Sequence, residues 1–228
     1  MHAKTTPSRA AHANGESPSP LVGAAGRAPT SALEVADWRR RVAGLYAEVR
    51  GIENPERAHG HWRLGRDELF ATHPQSPLPP GDVRRARGLP YFAYDPAMRF
   101  ELTVQPPPAS RTHVIPTDGD DVTTLRSIGV VELPAPLSVP LDVWWLEQYG
   151  GGIFLPLRDA SAGSTTYGGG RYLLDTAKGA DLGGTSGRIV VDLNFLYHPS
   201  CRYSSEWRCP LAPPENTIEA EVLAGERL

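Results

Sequence analysis

The densest group of residues able to hold an anion is the stretch DASAGSTTYGGGRY, which runs from Asp159 to Tyr172. Gly168, Gly169 and Gly170 carry no side chains that would keep a ligand from their backbone amides, and Arg171 follows them with a guanidinium. Free amides beside a guanidinium suit a phosphate or carboxylate group. The Lys and the Ser or Thr of a P-loop are missing, so the pattern predicts a simple anion-binding turn. The predicted ligand-binding residues are Thr166, Gly168, Gly169, Gly170, Arg171 and Asn194.

The glycine-rich stretch also has a purely structural interpretation. It is then an ordinary β-turn, in which Arg171 pairs with Asp159 or Asp175 inside the fold. The sequence leaves both interpretations open.

A second polar set lies in the apolar segment 188–197, which alternates as a β-strand does. Asp192 and Asn194 would point to the same face of this strand, about 7 Å apart. Partial burial raises the pKa of a carboxyl group and fits it for acid or base chemistry. We therefore predict Asp192 and Tyr167 as catalytic residues, with Asn194 or Tyr167 orienting the substrate. The alternative is that Asp192 and Asn194 bind loop amides within the fold.

Cys201 and Cys209 are the only two cysteines of the chain. Together with His198 they form H-x2-C-x7-C, a spacing that matches no standard zinc site, so no metal is predicted. We predict a structural or redox role for the two cysteines. Free thiols are expected in the cytoplasm, and a disulfide that closes the short loop between them remains an alternative.

Composition excludes several classes of function. The 23 Lys and Arg against 26 Asp and Glu give a net charge of −3, which argues against a nucleic-acid partner. Because no run of about 18 apolar residues occurs, no membrane span is expected. The N-terminal residues lack the apolar stretch of a secretory signal, which makes the cytoplasm the expected location. Lys4 and Lys178 are the only lysines, and their scarcity argues against Schiff-base chemistry.

The helices and strands that must position these residues are predicted from the spacing of apolar residues along the chain. Residues 1–31 hold almost no large apolar side chains and are predicted to be a disordered tail, followed by one globular domain over 32–228. Its part 32–75 has helical periodicity and 87–228 has the period of strands. The predicted fold is mainly β with N-terminal helices (α+β), as an antiparallel sandwich or small barrel. The predicted strands are 99–104, 111–116, 122–133, 141–149, 153–159, 165–175, 188–197 and 217–223.

The chain also resembles a known family over roughly residues 60–226. The motifs that carry the resemblance are TYGGGRYL at 166–173, VDLN at 191–194, PSC at 199–201, CP at 209–210 and AGE at 224–226. They are similar to the bacterial and archaeal domain-of-unknown-function family 1684. This family has no established reaction, so the resemblance implies no cofactor. Its relatives usually carry Asn in place of His198, which argues further against a metal site. The positions that match its pattern are Asp159, Thr166, Tyr167, Gly170, Arg171, Asp192, Asn194, Cys201, Cys209, Asn216 and Glu226.

Two hypotheses of function follow. In the first, the protein has a pocket for a small anionic ligand and is an enzyme for small molecules that uses acid and base chemistry. In the second, it is a non-catalytic binding or scaffold module, in which the same polar residues are structural and Arg171 pairs with Asp192 or Glu226. The expected partner in the first case is a small molecule, and the oligomeric state is left open.

Overall fold

The computed structural model describes residues 29–116, 122–147, 149–205 and 207–228. Residues 1–28 of the predicted tail therefore lie outside the described residues. Three helices precede the strands, namely α1 (Pro29–Gly51), α2 (Pro55–Thr72) and the short α3 (Arg84–Arg87). The prediction of N-terminal helices is thereby confirmed.

Eight β-strands follow in the described part of the chain, and all their pairings are antiparallel. One sheet has five strands in the order β2-β3-β4-β5-β6, and the other has three in the order β1-β8-β7. Neither sheet closes into a barrel within these residues, and the predicted α+β class is confirmed. The strands are β1 (Arg99–Thr103), β2 (Thr112–Pro116), β3 (Val122–Leu133), β4 (Val139–Leu146), β5 (Ile153–Leu157), β6 (Arg171–Asp175), β7 (Gly184–Thr185) and β8 (Arg188–Asp192).

Local signals fix the bounds of α2. The side chain of Asn54 accepts a hydrogen bond from the backbone N–H of Arg57 at 2.9 Å, and Pro55 occupies the first helical turn. Asn as N-cap followed by Pro is a strong start signal, because both suit the unpaired amides of a first turn. At the other end the N–H of His73 donates to the carbonyl of Leu69.

Three predicted strands are wrong in length or existence. The predicted strand 165–175 begins only at Arg171, after the glycine turn. The segment 188–197 leaves the sheet at Asp192, whose side chain caps a 3-10 turn over Leu193–Phe195. The segment 217–223 forms no strand, apart from an isolated bridge between Thr217 and Arg158. In the last two segments isolated backbone pairs such as Tyr197 with Tyr172 bond part of the backbone, and side chains bond another part. For example, the N–H of Val222 donates to the carboxylate of Asp159.

The fully buried amide of Asn216 connects this C-terminal segment to the five-stranded sheet. Its Nδ2 donates to the carbonyls of Asp142 and Pro156 at 2.9 and 3.0 Å. Its Oδ1 accepts the indole N–H of Trp144 at 2.7 Å. One side chain therefore joins β4 and β5 to the C-terminal segment.

Replacing this amide tests how strongly the fold depends on it. We expect Asn216→Ala to lower the free energy of unfolding by about 3 kcal/mol or more, because two carbonyls and one indole N–H lose their partner in the interior. Urea unfolding measures the change. The neighbouring Thr217 is exposed, so Thr217→Ala is the control and should change the stability by less than about 0.5 kcal/mol. Equal effects of the two substitutions would contradict the role of Asn216.

Candidate functional site

Arg171, the centre of the predicted anion site, lies fully buried in β6 with 0% exposure. Its guanidinium donates to Asp159 Oδ1 at 3.0 Å and to the carbonyls of Val222 at 2.9 Å and Glu226 at 3.2 Å. A further hydrogen bond goes to the carbonyl of Ala224. Burial lowers the pKa of Arg171, and the charge of Asp159 opposes this shift. The arginine is therefore occupied by the chain itself, in the ion pair with Asp159 that the structural interpretation predicts.

The glycine turn beside it is shaped by packing. Gly170 has φ +85°, and a Cβ there would lie 2.8 Å from the carbonyl oxygen of Leu157. A side chain is therefore excluded at this position. The N–H of Gly170 donates to the carbonyl of Tyr167, and Gly168 accepts from the guanidinium of Arg158.

The other members of the turn are also in contact with the fold. Gly169 lies against the ring of Tyr167, where a Cβ would come within 2.6 Å. The hydroxyl of Thr166 is buried and hydrogen bonds to Ser161 at 2.8 Å. The described contacts of the turn are therefore internal ones.

Asp192 is also buried, with 1% exposure, and it lies in a different place from Arg171. Its Oδ1 accepts the backbone N–H and the side-chain Nδ2 of Asn194 at 3.1 and 2.8 Å. Burial raises the pKa of Asp192 to about 6, against these hydrogen bonds and the nearby charge of Arg99. The carboxylate lines a cleft of about 270 Å³, together with Arg50, Glu53 and other residues. Asn194 faces the backbone of Asp95, to which it both donates and accepts.

The two predicted catalytic residues have separate surroundings. Tyr167 Oη lies 3.9 Å from Cys201 Sγ, and the ring packs edge-on against His198. Burial raises the pKa of Tyr167, and the neighbouring Cys201 adds to this shift. The groups that shift the pKa of Asp192 include Asn194 and Arg99 but not Tyr167. The predicted site residues are thus distributed over the fold. Cys209 lines a further cavity.

This cavity, which sequence reasoning missed, lies between α1, α2, β6 and the segment 197–209 and has a volume of about 240 Å³. Its walls are largely apolar and aromatic. On α1 and α2 they resemble an ordinary core stripe in the sequence, so no sequence signal distinguishes them. The apolar and aromatic side chains that line it include Trp38, Val42, Leu45, Phe70, Tyr197 and Trp207.

Two of the buried residues that line the cavity each have a polar atom without a hydrogen-bond partner. Asp175 is 2% exposed, and its Oδ2 lies 3.3 Å from Lys178 Nζ, while its Oδ1 has no hydrogen-bond partner. Tyr46 is also 2% exposed, and its hydroxyl has no partner either. Burial raises the pKa of Tyr46 above its usual range. Leaving such an atom unpaired costs about 1–3 kcal/mol, which makes two in one cavity unusual.

Arg66 forms another part of the wall and is fixed from behind. It donates to Tyr91 Oη at 2.8 Å and to Glu226 Oε2 at 3.0 Å. Glu226 also accepts the N–H of His198 at 2.9 Å and the hydroxyl of Tyr203. Burial alone would raise the pKa of Glu226, but the charge of Arg66 and the bonds from His198 and Tyr203 hold it at about 2.

Basic side chains predominate around the cavity. Arg39, Arg66, Lys178 and Arg208 line it, and Asp175 is the single carboxylate among its lining residues. Across the described residues, no three His, Cys, Asp or Glu side chains are grouped so that they could hold a metal ion. No helix in this part of the chain is long and apolar enough to cross a membrane.

Comparison with known proteins places the chain in a family. Residues 85–227 match the family model described as "Protein of unknown function (DUF1684)". The chain belongs to this family. An uncharacterized protein of Haloarcula marismortui with a solution NMR structure is 32% identical, and the match covers 73% of this chain and 90% of that one with a TM-score of 0.51. No curated protein matches.

The resemblance seen in the sequence is confirmed, although the match begins at residue 85 rather than near 60. Helices α1 and α2 of this DUF1684 protein precede the matched residues. The cavity therefore lies between two helices outside the match and strands inside it.

The buried ion pair of the DUF1684 domain can be tested by a substitution that keeps volume. We expect Arg171→Met to lower the free energy of unfolding by about 3–5 kcal/mol, because Asp159 is then a buried charge without an opposite charge beside it. The exposed Arg158 offers the matched control, and Arg158→Met should cost less than about 0.5 kcal/mol. An Arg171→Met protein as stable as the wild type would contradict the structural role.

The pKa of Asp192 gives a second prediction. Since the folded-state pKa of about 6 lies above the unfolded value, the protonated carboxyl stabilises the fold at low pH. Relative to Asp192→Asn, the wild type should lose about 3 kcal/mol of stability as the pH rises from about 4 through 6 to 8. Urea unfolding of both proteins across this range measures the difference, and a difference independent of pH would contradict the shift.

Proposed function

We propose that the protein binds a small amphipathic molecule in the cavity between α1, α2 and β6. The single observation that carries this proposal is Asp175, a 98%-buried carboxylate (2% exposed) in an apolar cavity with one oxygen unpaired. An apolar cavity with a few convergent polar groups is the usual form of a small-molecule site. A bound hydroxyl or amine would supply the hydrogen bond that Asp175 Oδ1 lacks.

The charge distribution defines the other end of the molecule. Asp175 and Tyr46 are buried, whereas Lys178 is 50% exposed and Arg39 is exposed, so these two basic side chains lie toward solvent. A carboxylate or phosphate on the ligand would be favoured at this side. The proposed ligand therefore has an apolar body, a hydrogen-bond donor at its deep end and an anionic group at its outer end.

The small anionic ligand predicted from the sequence is thus retained, with its site moved away from Arg171. Arg171 is unsuitable because it is fully buried and its Nη1 and Nη2 groups bind Asp159 and the C-terminal carbonyls. Binding without catalysis is the version that we favour, since the cavity offers Asp175 as an acceptor beside Lys178 and no predicted catalytic residue lines it.

Acid and base chemistry at Asp192 is the second candidate function. It is supported by the raised pKa of a buried carboxyl group that lines a cleft of its own. The two proposals are separable. A ligand of this cleft would lose its thermal stabilisation in Asp192→Asn and keep it in Asp175→Ala, whereas a ligand of the cavity beside β6 would show the reverse.

A matched series of compounds tests the main proposal by thermal unfolding. At about 1 mM we expect ω-hydroxyoctanoate to raise the Tm by about 3 °C, and octanoate or octanol to raise it less, because each lacks one polar group. Asp175→Ala should abolish the preference for the hydroxylated acid over octanoate. Lys178→Ala should weaken the preference for octanoate over octanol.

A variant that fills the cavity is the control for location. Val42 lines the cavity, so Val42→Phe should abolish the shifts, whereas Val114→Phe, on a residue that is 60% exposed, should leave them unchanged. Each variant is compared with its own Tm without ligand. The absence of any shift in the wild type, or an undiminished shift in Val42→Phe, would overturn the proposal.

A further inference from the structure

We infer that the cavity between α1, α2 and β6 selects carboxylic acids of about eight carbons, and that the side chain of Leu45 sets this limit. The proposed binding of an amphipathic molecule is the premise of this inference, which names the chemical class of that molecule. Two observations support it, namely the volume of the cavity and the contact of Leu45 with Gly65.

The volume of the cavity limits the apolar body of the ligand. About 240 Å³ is the volume of about eight groups of the size of a water molecule, at ~30 Å³ each. A methylene group is similar in size. Because Lys178 is half-exposed and Arg39 is exposed, an acid whose carboxylate stays beside them must place each added methylene deeper in the cavity.

Leu45 lies between this cavity and the backbone of α2. It is 8% exposed and lines the cavity. A Cβ placed on Gly65 of α2 would lie 2.5 Å from Leu45 Cδ1 and 2.9 Å from Leu45 Cδ2. The branched end of Leu45 therefore occupies the space that a side chain at Gly65 would need.

Substitutions on the two sides of this contact should change the cavity in opposite directions. Gly65 lies inside α2, where the helical backbone accepts alanine readily. Carbon atoms in contact need about 3.5–4.0 Å, so an alanine methyl at Gly65 must displace the methyl groups of Leu45. Leu45 is otherwise buried, and the open space beside it is the cavity. Gly65→Ala should therefore reduce the cavity, and Leu45→Ala should extend it toward α2.

A purely structural role of Leu45 predicts a different result. If Leu45 served packing alone, both substitutions would change the stability of the protein but not its preference among acids of different length. The chain-length preference is therefore the quantity to measure.

Isothermal titration calorimetry of the folded full-length chain with hexanoate, octanoate and decanoate measures this preference. In the wild type we expect the affinity to rise about fourfold per added methylene up to octanoate, which is the effect of burying one methylene group. Decanoate should bring no further gain. In Leu45→Ala the gain should continue to decanoate, and in Gly65→Ala it should end at hexanoate.

Two matched variants control for the substitutions themselves. A Cβ on Gly60, which is also in α2, would meet no heavy atom of the described residues within 4 Å, and Leu64 is 71% exposed. Gly60→Ala and Leu64→Ala should keep the wild-type order of the three acids. If Leu45→Ala or Gly65→Ala fails to fold by circular dichroism, Leu45→Val replaces it and should extend the gain in affinity beyond octanoate.

The outcomes separate this inference from the proposed function. Binding with the same order of the three acids in every variant would overturn the role of Leu45 and leave the binding of an amphipathic molecule intact. A gain that continues to decanoate in the wild type would overturn the assigned chain length. No binding of any acid by the wild type would overturn the proposed function itself.

Discussion

The C-terminal segment 217–228 buries Ile218, Val222 and residues 224–226 without belonging to a sheet, and the rest of the structure depends on how its polar groups are paired. A buried backbone needs partners for its carbonyl and N–H groups, and here side chains supply them. Arg171 binds the carbonyls of three residues of the segment, and Asp159 accepts the N–H of Val222. Glu226, on the segment itself, binds Arg66.

These two ionic contacts also fix the elements that enclose the cavity. Arg171 begins β6, which contributes Tyr172 and Asp175 to the cavity, and Arg66 lies on α2. Both elements are attached to the same C-terminal segment, so these ion pairs contribute to the distance between them. A gap between a helix and a strand can persist under this constraint. The buried carboxylates fall into two groups. Asp159 and Glu226, which hold the C-terminal segment, accept hydrogen bonds at both oxygens, whereas Asp175, which lines the cavity, has no hydrogen bond to its Oδ1.

Local chemistry made much of the fold predictable. Asn54 and Pro55 mark the start of α2 through their own conformational preferences, and the alternation over 122–133 predicts β3 with its observed bounds. The failures have a common cause. Segments 188–197 and 217–223 have the patterning of strands, but Asn194 and Arg171 provide hydrogen bonds that compete with a ladder, and the partners of Arg171 are about fifty residues away in sequence. Hydrophobic periodicity is analysed over short windows of sequence, so it cannot reveal a contact between residues so far apart.

The candidate site was predictable in part only. The polar residues selected from the sequence, Arg171 and Asp192 among them, are buried and bonded within the fold, which is the structural alternative for each. Trp38 and Tyr46 belong to an apolar stripe of a helix, which predicts that they are packed in the core. A helix that lines a cavity has the same apolar stripe in its sequence. What separates wall from core is the spacing between α2 and β6, and that spacing depends on contacts distant in sequence.

Binding of a small molecule between α1, α2 and β6 can be observed directly through the indole N–H resonances of the five tryptophans. Trp38 and Trp207 line the cavity, whereas Trp144 and Trp145 lie on β4. In a proton–nitrogen correlation spectrum recorded during titration with ω-hydroxyoctanoate, the account predicts saturable shifts of the Trp38 and Trp207 signals with those of Trp144 and Trp145 unmoved. Shifts confined to Trp144 and Trp145, or no shift of any indole signal at saturating concentration, would contradict it.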